Sequence, residues 1–278
     1  MALLASLLFS AGMTMPVWVR ARGDHSGDAP PHLAEIRVPL EPTVRKHCYD
    51  QQYGRAATFE GVALTKIIRD YGAPKGVDAA ILHFANEMIV LVRLNELTVL
   101  NAFLAFALCN MTECRGDLPP VENKDDYYVD RHPLRFATNK LVVSKAANGF
   151  SPFRYTSTLV GIELVDGRAY ERQFEVADTP GVRAGLTAFT QRCRSCHGVR
   201  GVGATLGWDF VKPFPLYTYR SPRSLSKHVR FRENDAPAKG IMMPTFPDMD
   251  DRTVKALWDL LEAFAKYPIR PYEPENVL

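Results

Sequence analysis

Cys193, Arg194, Ser195, Cys196 and His197 set two thiols three positions apart, with an imidazole directly behind the second. This C-x-x-C-H spacing is the attachment pattern of a c-type haem. Two thiols so placed can add across the two vinyl groups of one porphyrin, and the adjoining histidine can present a ring nitrogen to one face of the iron. The opposite face is left for a second ligand or a substrate, and that choice sets the redox behaviour. Competing chemistries need other surroundings. A structural zinc ion needs a second C-x-x-C or two histidines at ligand spacing, which Cys48, Cys109 and Cys114 do not supply. A thioredoxin-type dithiol follows a strand in a βαβ pattern, whereas Val182 to Arg192 reads as a helix. Two ordinary thiols beside a chance histidine are the bland alternative.

The second ligand is expected in Gly240-Ile241-Met242-Met243-Pro244-Thr245-Phe246. A thioether is a soft, neutral donor that favours reduced iron. Pro244 restricts the chain before it to extended geometry, which suits a sulfur held inward on a loop. Methionine beside proline is also a routine core filler. Position adds weight, because Met243 lies 46 residues after His197 and just before a terminal helix. Met243, directly before the proline, is preferred to Met242, and Met249 is the third candidate.

With these residues in hand, the stretch from about 181 to 268 resembles a class I cytochrome c. Gly185, Phe189 and Cys193 lie four apart on one helical face, and the family places a glycine and an aromatic residue there to cross the last helix. Gly198, Gly201 and Gly203 resemble its glycine-rich segment after the histidine. Residues 250–264 supply the partner helix, with acids at its start where the helix dipole favours them. Val254, Leu257, Trp258 and Leu261 form its apolar stripe. The resemblance implies an all-α domain with one covalent haem c held by Cys193 and Cys196, its iron between His197 and Met243. It also implies one-electron exchange with a redox partner protein.

Composition fits a folded chain large enough for two cores: 278 residues, 46% apolar, 23% charged, net charge +3. From 181 onward there are 15 Lys/Arg against 10 Asp/Glu, while the first 180 residues hold 19 against 21. Arg220, Arg223, Lys227, Arg230 and Arg232 form a run without an acid. It reads as a solvated face, as charge neutralisation for haem propionates, or as steering toward an acidic redox partner. The aromatics among them form no nucleic-acid module, so no nucleic-acid partner is expected. Attaching haem to two thiols requires machinery outside the bacterial cytoplasm, so export to the periplasm is expected. Residues 1–21 read as a signal peptide or a short anchor giving membrane association, with an apolar stretch from Ala2 to Ala11 but no basic start. An oxidising compartment also permits a disulfide between Cys109 and Cys114.

Residues 33–177 carry a mixed pattern. Strands are expected at Leu33–Leu40, Ala79–Ala85, Met88–Leu94, Pro133–Val143 and Thr158–Val165. A short helix carries Leu64, Ile67, Ile68 and Tyr71 and closes at Gly72, and Leu97–Leu108 reads as a buried helix. Asp166-Gly167 reads as the turn of a hairpin running into Ala169–Val176. Thr179-Pro180-Gly181 marks the boundary before the haem domain, and residues 269–278 form a tail.

This region is similar to the molybdenum-cofactor domain of the sulfite oxidase family. The matching pieces are His47-Cys48-Tyr49-Asp50, Phe59 to Leu64, His132-Pro133-Leu134-Arg135, and Phe153 through Leu164. The resemblance implies an α+β domain with Cys48 as thiolate ligand to a molybdopterin-bound metal; Arg45, Lys46 and His47 could favour the ionised thiol. The usual Asp-Gly pair is missing at Phe84–Met88, and basic residues for the pterin phosphate are missing around Gly149–Pro152. The expectation is therefore an α+β domain for docking or regulation followed by an all-α cytochrome domain. A fused molybdenum–haem oxidoreductase of the sulfite dehydrogenase kind is the alternative.

Overall fold

The computed structural model describes residues 14–22, 34–39, 42–50, 55–109, 114–115, 140–143, 151–156, 158–231 and 243–273. In chain order these form β1 (Thr14–Ala21), β2 (Ala34–Pro39), β3 (Val44–Asp50), β4 (Arg55–Ala63), α1 (Leu64–Tyr71), β5 (Ala79–Phe84), β6 (Ile89–Arg93) and α2 (Leu94–Leu100). Then follow β7 (Phe103–Cys109), β8 (Cys114–Arg115), β9 (Lys140–Val142), β10 (Leu159–Val165) and α3 (Gly167–Arg172). The last part holds α4 (Pro180–Arg192), β11 (Gly198–Val199), β12 (Val202–Gly203), α5 (Pro222–Phe231) and α6 (Asp251–Lys266).

One sheet runs β2-β1-β10-β5-β6 and a second β3-β4-β7-β8, with β9 also paired to β7. β1 and β10 are parallel; the other described neighbours are antiparallel. Alternation along β5 explains how the first sheet serves two cores. Ala80, Leu82 and Phe84 join Val62, Leu104 and Phe106 of the second sheet, with Ile67 and Ile68 of α1. Ala79 and Ile81, on the other face, join Phe174, Phe189, Leu257 and Phe264. Ile89 and Val165 enter that second core with them.

The expected pairing of an α+β domain with an all-α cytochrome domain is therefore corrected. The chain is a mixed α/β structure with several sheets, one curled into a half-barrel. Its last third contains the β11–β12 ribbon, and its helices share one apolar core with the large sheet. The ribbon has a local cause. Arg200 and Gly201 take φ of 53° and 86°, which matches the two-residue turn that joins twisted antiparallel strands. Two-residue strands carry no periodic signal in the sequence.

Two smaller expectations also change. The helix expected over Leu97–Leu108 ends at Leu100, because Asn101 turns left-handed with φ 47° and its N–H closes onto Leu97 and Thr98. Phe103–Cys109 then runs as β7, whose buried faces hide the alternation that marks a strand. The hairpin expected after Asp166-Gly167 is helix α3, because the Asp166 carboxylate accepts the Ala169 N–H at 3.0 Å and caps it. Of the strand expected at Pro133–Val143, Lys140–Val142 is formed as β9 and the remainder lies mostly outside the described residues.

Residues 14–21, the end of the segment read as leader or anchor, form β1 between β2 and β10. Val17 and Val19 have no exposure, so cleavage after Ala21 would take an inner strand out of the sheet. Residues 1–13 lie outside the described residues. Among the described residues no helix is long and apolar enough to cross a membrane. At the end of β1, Arg20 and Arg22 reach Glu163 of β10 at 2.8 and 2.5 Å, and His83 of β5 adds a contact at 3.1 Å. Burial alone would raise the Glu163 carboxyl, but hydrogen bonds from His83 and Arg20 and the charge of Arg22 outweigh it and hold it at about 2.

Candidate functional site

Thr179 caps α4, its hydroxyl accepting the Val182 N–H, and Pro180 opens the helix. Asp250 caps α6 by accepting the Thr253 N–H at 2.7 Å. The helices cross at Gly185, where a Cβ would stand 2.2 Å from the Ala256 carbonyl oxygen. One turn on, Phe189 is fully buried and meets Phe264 edge-on at 5.4 Å. Cys193 follows on the same helical face.

The chain then closes tightly. Cys193 C=O accepts both the Cys196 N–H at 3.0 Å and the His197 N–H at 2.9 Å. Three anchors hold the turn from outside. Gly207 N–H donates to the Cys196 carbonyl at 2.7 Å, and Ile89 N–H of β6 donates to the Ser195 carbonyl at 3.1 Å. Arg194 is buried, with its guanidinium 3.7 Å from Glu171 and over the Tyr170 ring of α3. Cys193 and Cys196 are free thiols. Burial pushes both up to about 12, with the neighbouring Cys196 adding to the effect on Cys193.

His197 is oriented on three sides. Its Nδ1 lies 2.8 Å from the Trp208 carbonyl oxygen, so Nδ1 carries the proton and Nε2 the lone pair. Phe210 stacks on the ring at 4.8 Å and 23°. Gly207 leaves it room, since a Cβ there would lie 2.5 Å from the His197 ring. An imidazole donating its other N–H to a backbone carbonyl is the usual arrangement for a metal ligand.

Cys193, Cys196, His197 and Met243 line one cavity of about 490 Å³, within the range of small-molecule and cofactor sites. Leu257 and Leu261 of α6 close its apolar side, and Trp208 and Phe214, each 71% exposed, stand in its wall. Met243 is half-buried there beside Pro244. Met249 is 3% exposed in the core and does not line the cavity. Met242 lies outside the described residues. A buried and a half-buried thiol three positions apart, an imidazole with its outer nitrogen fixed, and a thioether on one apolar cavity fit a covalently attached haem. Among the described residues no group of three or more His, Cys, Asp or Glu side chains is placed to hold a metal ion.

The basic run is divided. Arg220 lines the cavity, Arg223 and Lys227 are exposed, and Arg230 binds the Met249 carbonyl at 2.6 Å and Asp251 at 2.8 Å. Arg232 lies outside the described residues. Arg192 and His228 also line the cavity and were not singled out from the sequence. Neither was Trp208, whose part is played by a backbone carbonyl and carries no sequence signal.

Cys48 lies apart, on β3, packed among Phe59, Phe103, Ala105 and Val142. Burial and then Asp50 raise its thiol. Lys46 and Lys140 do pull toward the thiolate, but burial and Asp50 outweigh them. Beside it, Asp50 and Lys140 form a buried ion pair at 3.1 Å. Cys109 is disulfide-bonded and stands opposite Cys114 in the β7–β8 register. No protein-family model matches this chain, and no curated protein matches it.

Proposed function

We propose that the protein transfers single electrons through one haem c, bound covalently at Cys193 and Cys196 and ligated by His197 and Met243. The observation that carries this reading is the convergence of those four side chains on one apolar cavity, with His197 Nδ1 committed to the Trp208 carbonyl. Cys193 and Cys196 would hold the group by each adding its S–H across one vinyl double bond, forming a C–S and a C–H bond with nothing left over. Burial keeps both as thiols until then. When bound, the group supplies an iron that accepts and returns one electron.

The chain's residues do the rest. His197 offers Nε2 in a fixed orientation, and Met243 offers a soft sulfur that favours the reduced state. Phe210, Leu257 and Leu261 exclude water. Lys212 and Arg220 stand with Trp208 and Phe214 in the cavity wall, where a redox partner protein would approach. The N-terminal part is a docking or regulatory module in this reading, and export to the periplasm follows from the attachment chemistry. Among the described residues, burial and Asp50 raise the Cys48 thiol, which does not favour the molybdenum enzyme.

The test is acid–acetone extraction of protein matured with haem-attachment machinery, together with elemental analysis. Pigment retained on the polypeptide with iron and no molybdenum supports the reading. Colour that extracts overturns it, and about one molybdenum per iron replaces it with the enzyme.

A further inference from the structure

The segment from Met243 to Asp250 contains no helix or strand, so something else must set the position of its sulfur. Arg192, the last residue of α4, donates through Nη1 and Nη2 to both oxygens of Asp248 at 2.9 and 2.7 Å. The same guanidinium lies over the Phe246 ring at 5.3 Å, and the residue itself lines the cavity. Phe246 N–H is in turn tied to the Val229 carbonyl at 2.8 Å, and Met249 N–H to the Phe246 carbonyl at 3.0 Å. One side chain thus grips two residues of the methionine loop while its own backbone adjoins Cys193. A planar fork is suited to this, because a bidentate pair fixes direction as well as distance.

We propose that Arg192 is a positioning residue that ties the Met243 loop to the cysteine end of α4 and so holds the Met243 sulfur over the cavity. The proposal rests on the haem reading above. Asp248 is 64% exposed, and an exposed ion pair contributes little to stability. The clamp acts on where the sulfur sits rather than on whether the chain folds.

Titration of the oxidised, haem-loaded protein with free imidazole, which competes with the thioether for iron, tests this. Arg192→Gln and Asp248→Asn should each lower the imidazole needed for half-displacement about 10-fold, the usual scale for losing an outer-shell partner. Both should weaken the near-red iron–thioether band. The double variant should do no more than either single one, and Arg192→Lys should recover part of the loss. Their denaturation midpoints should move no more than that of Lys255→Gln, which removes the exposed pair with Asp259 on α6. Faster amide exchange at Phe246 in Arg192→Gln is the readout that does not depend on the iron. Unchanged imidazole titration in Arg192→Gln, or additive effects in the double variant, overturns the clamp while leaving the haem reading intact. Pigment that extracts from the unmodified protein overturns both.

Discussion

His197 Nδ1 and the backbone carbonyl of Trp208 lie 2.8 Å apart, so the orientation of the imidazole is set by main chain rather than by a side chain. Replacing Trp208 leaves that carbonyl in place. The sensitive position is Gly207, because its neighbour's ring occupies the space a methyl would need. Gly207→Ala should cost about 1–3 kcal/mol in urea unfolding, as overpacking does. In the haem-loaded protein it should also tilt the ring and broaden the low-spin signals. A variant with unchanged stability and spectrum would show that the ring has slack.

Met243 lines the cavity and Met249 sits in the core, so on the haem reading their variants separate ligand from packing. Met243→Ala should abolish the near-red band with little effect on unfolding. Met249→Ala should keep the band and cost about 2–5 kcal/mol, since it empties a buried site. The reverse pattern would reassign the sulfur.

Burial raises the thiols of Cys193 and Cys196 well above the ordinary value, so at pH 8 the folded, haem-free chain holds far less thiolate than the unfolded one. Iodoacetamide should label them slowly in the folded chain and rapidly in denaturant. The double variant Cys193→Ser, Cys196→Ser should release its pigment to acid–acetone, whereas Cys48→Ala should keep both colour and iron content.

Glu163 sets an acid limit to stability. Its folded value of about 2 lies below the ordinary 4.5. Its contribution is therefore complete above pH 4.5 and is lost as the pH falls toward 2, when the folded state must take up the proton it resists. The difference corresponds to about 3 kcal/mol. Urea unfolding between pH 5 and 2 should show this slope. Glu163→Gln should flatten it, and at pH 7 should be destabilised by about 3–5 kcal/mol because Arg20 and Arg22 lose their buried counter-charge.

Much of the site was readable because it is local. The helix before Cys193, the capped helix after Asp250 and the thiol–thiol–imidazole run each fit within a few turns of chain, and Gly72 closed α1 as its left-handed geometry requires. The errors share a different cause. Phe103–Cys109 is apolar on both faces, so a strand there looks like a buried helix. Asp166 suits a turn or a helix cap; here it caps α3, which buries Tyr170 and, just beyond the helix, Phe174 in the core. The sharing of one core between Ile81 and Leu257 depends on contacts more than 170 residues apart, for which no local pattern exists. The Trp208 carbonyl and the Arg192–Asp248 grip were unreadable for the same reason.

The bond from Ile89 to Ser195 has an implication for biogenesis. β6 is the last strand of its sheet, and it knits its margin to the very pentapeptide that bears the two sulfurs. If a haem is attached there, the attaching enzyme reaches the pentapeptide from its cavity side, because the β6 side is already hydrogen-bonded. On the haem reading, attachment should run faster before β6 docks on Ser195 than after it.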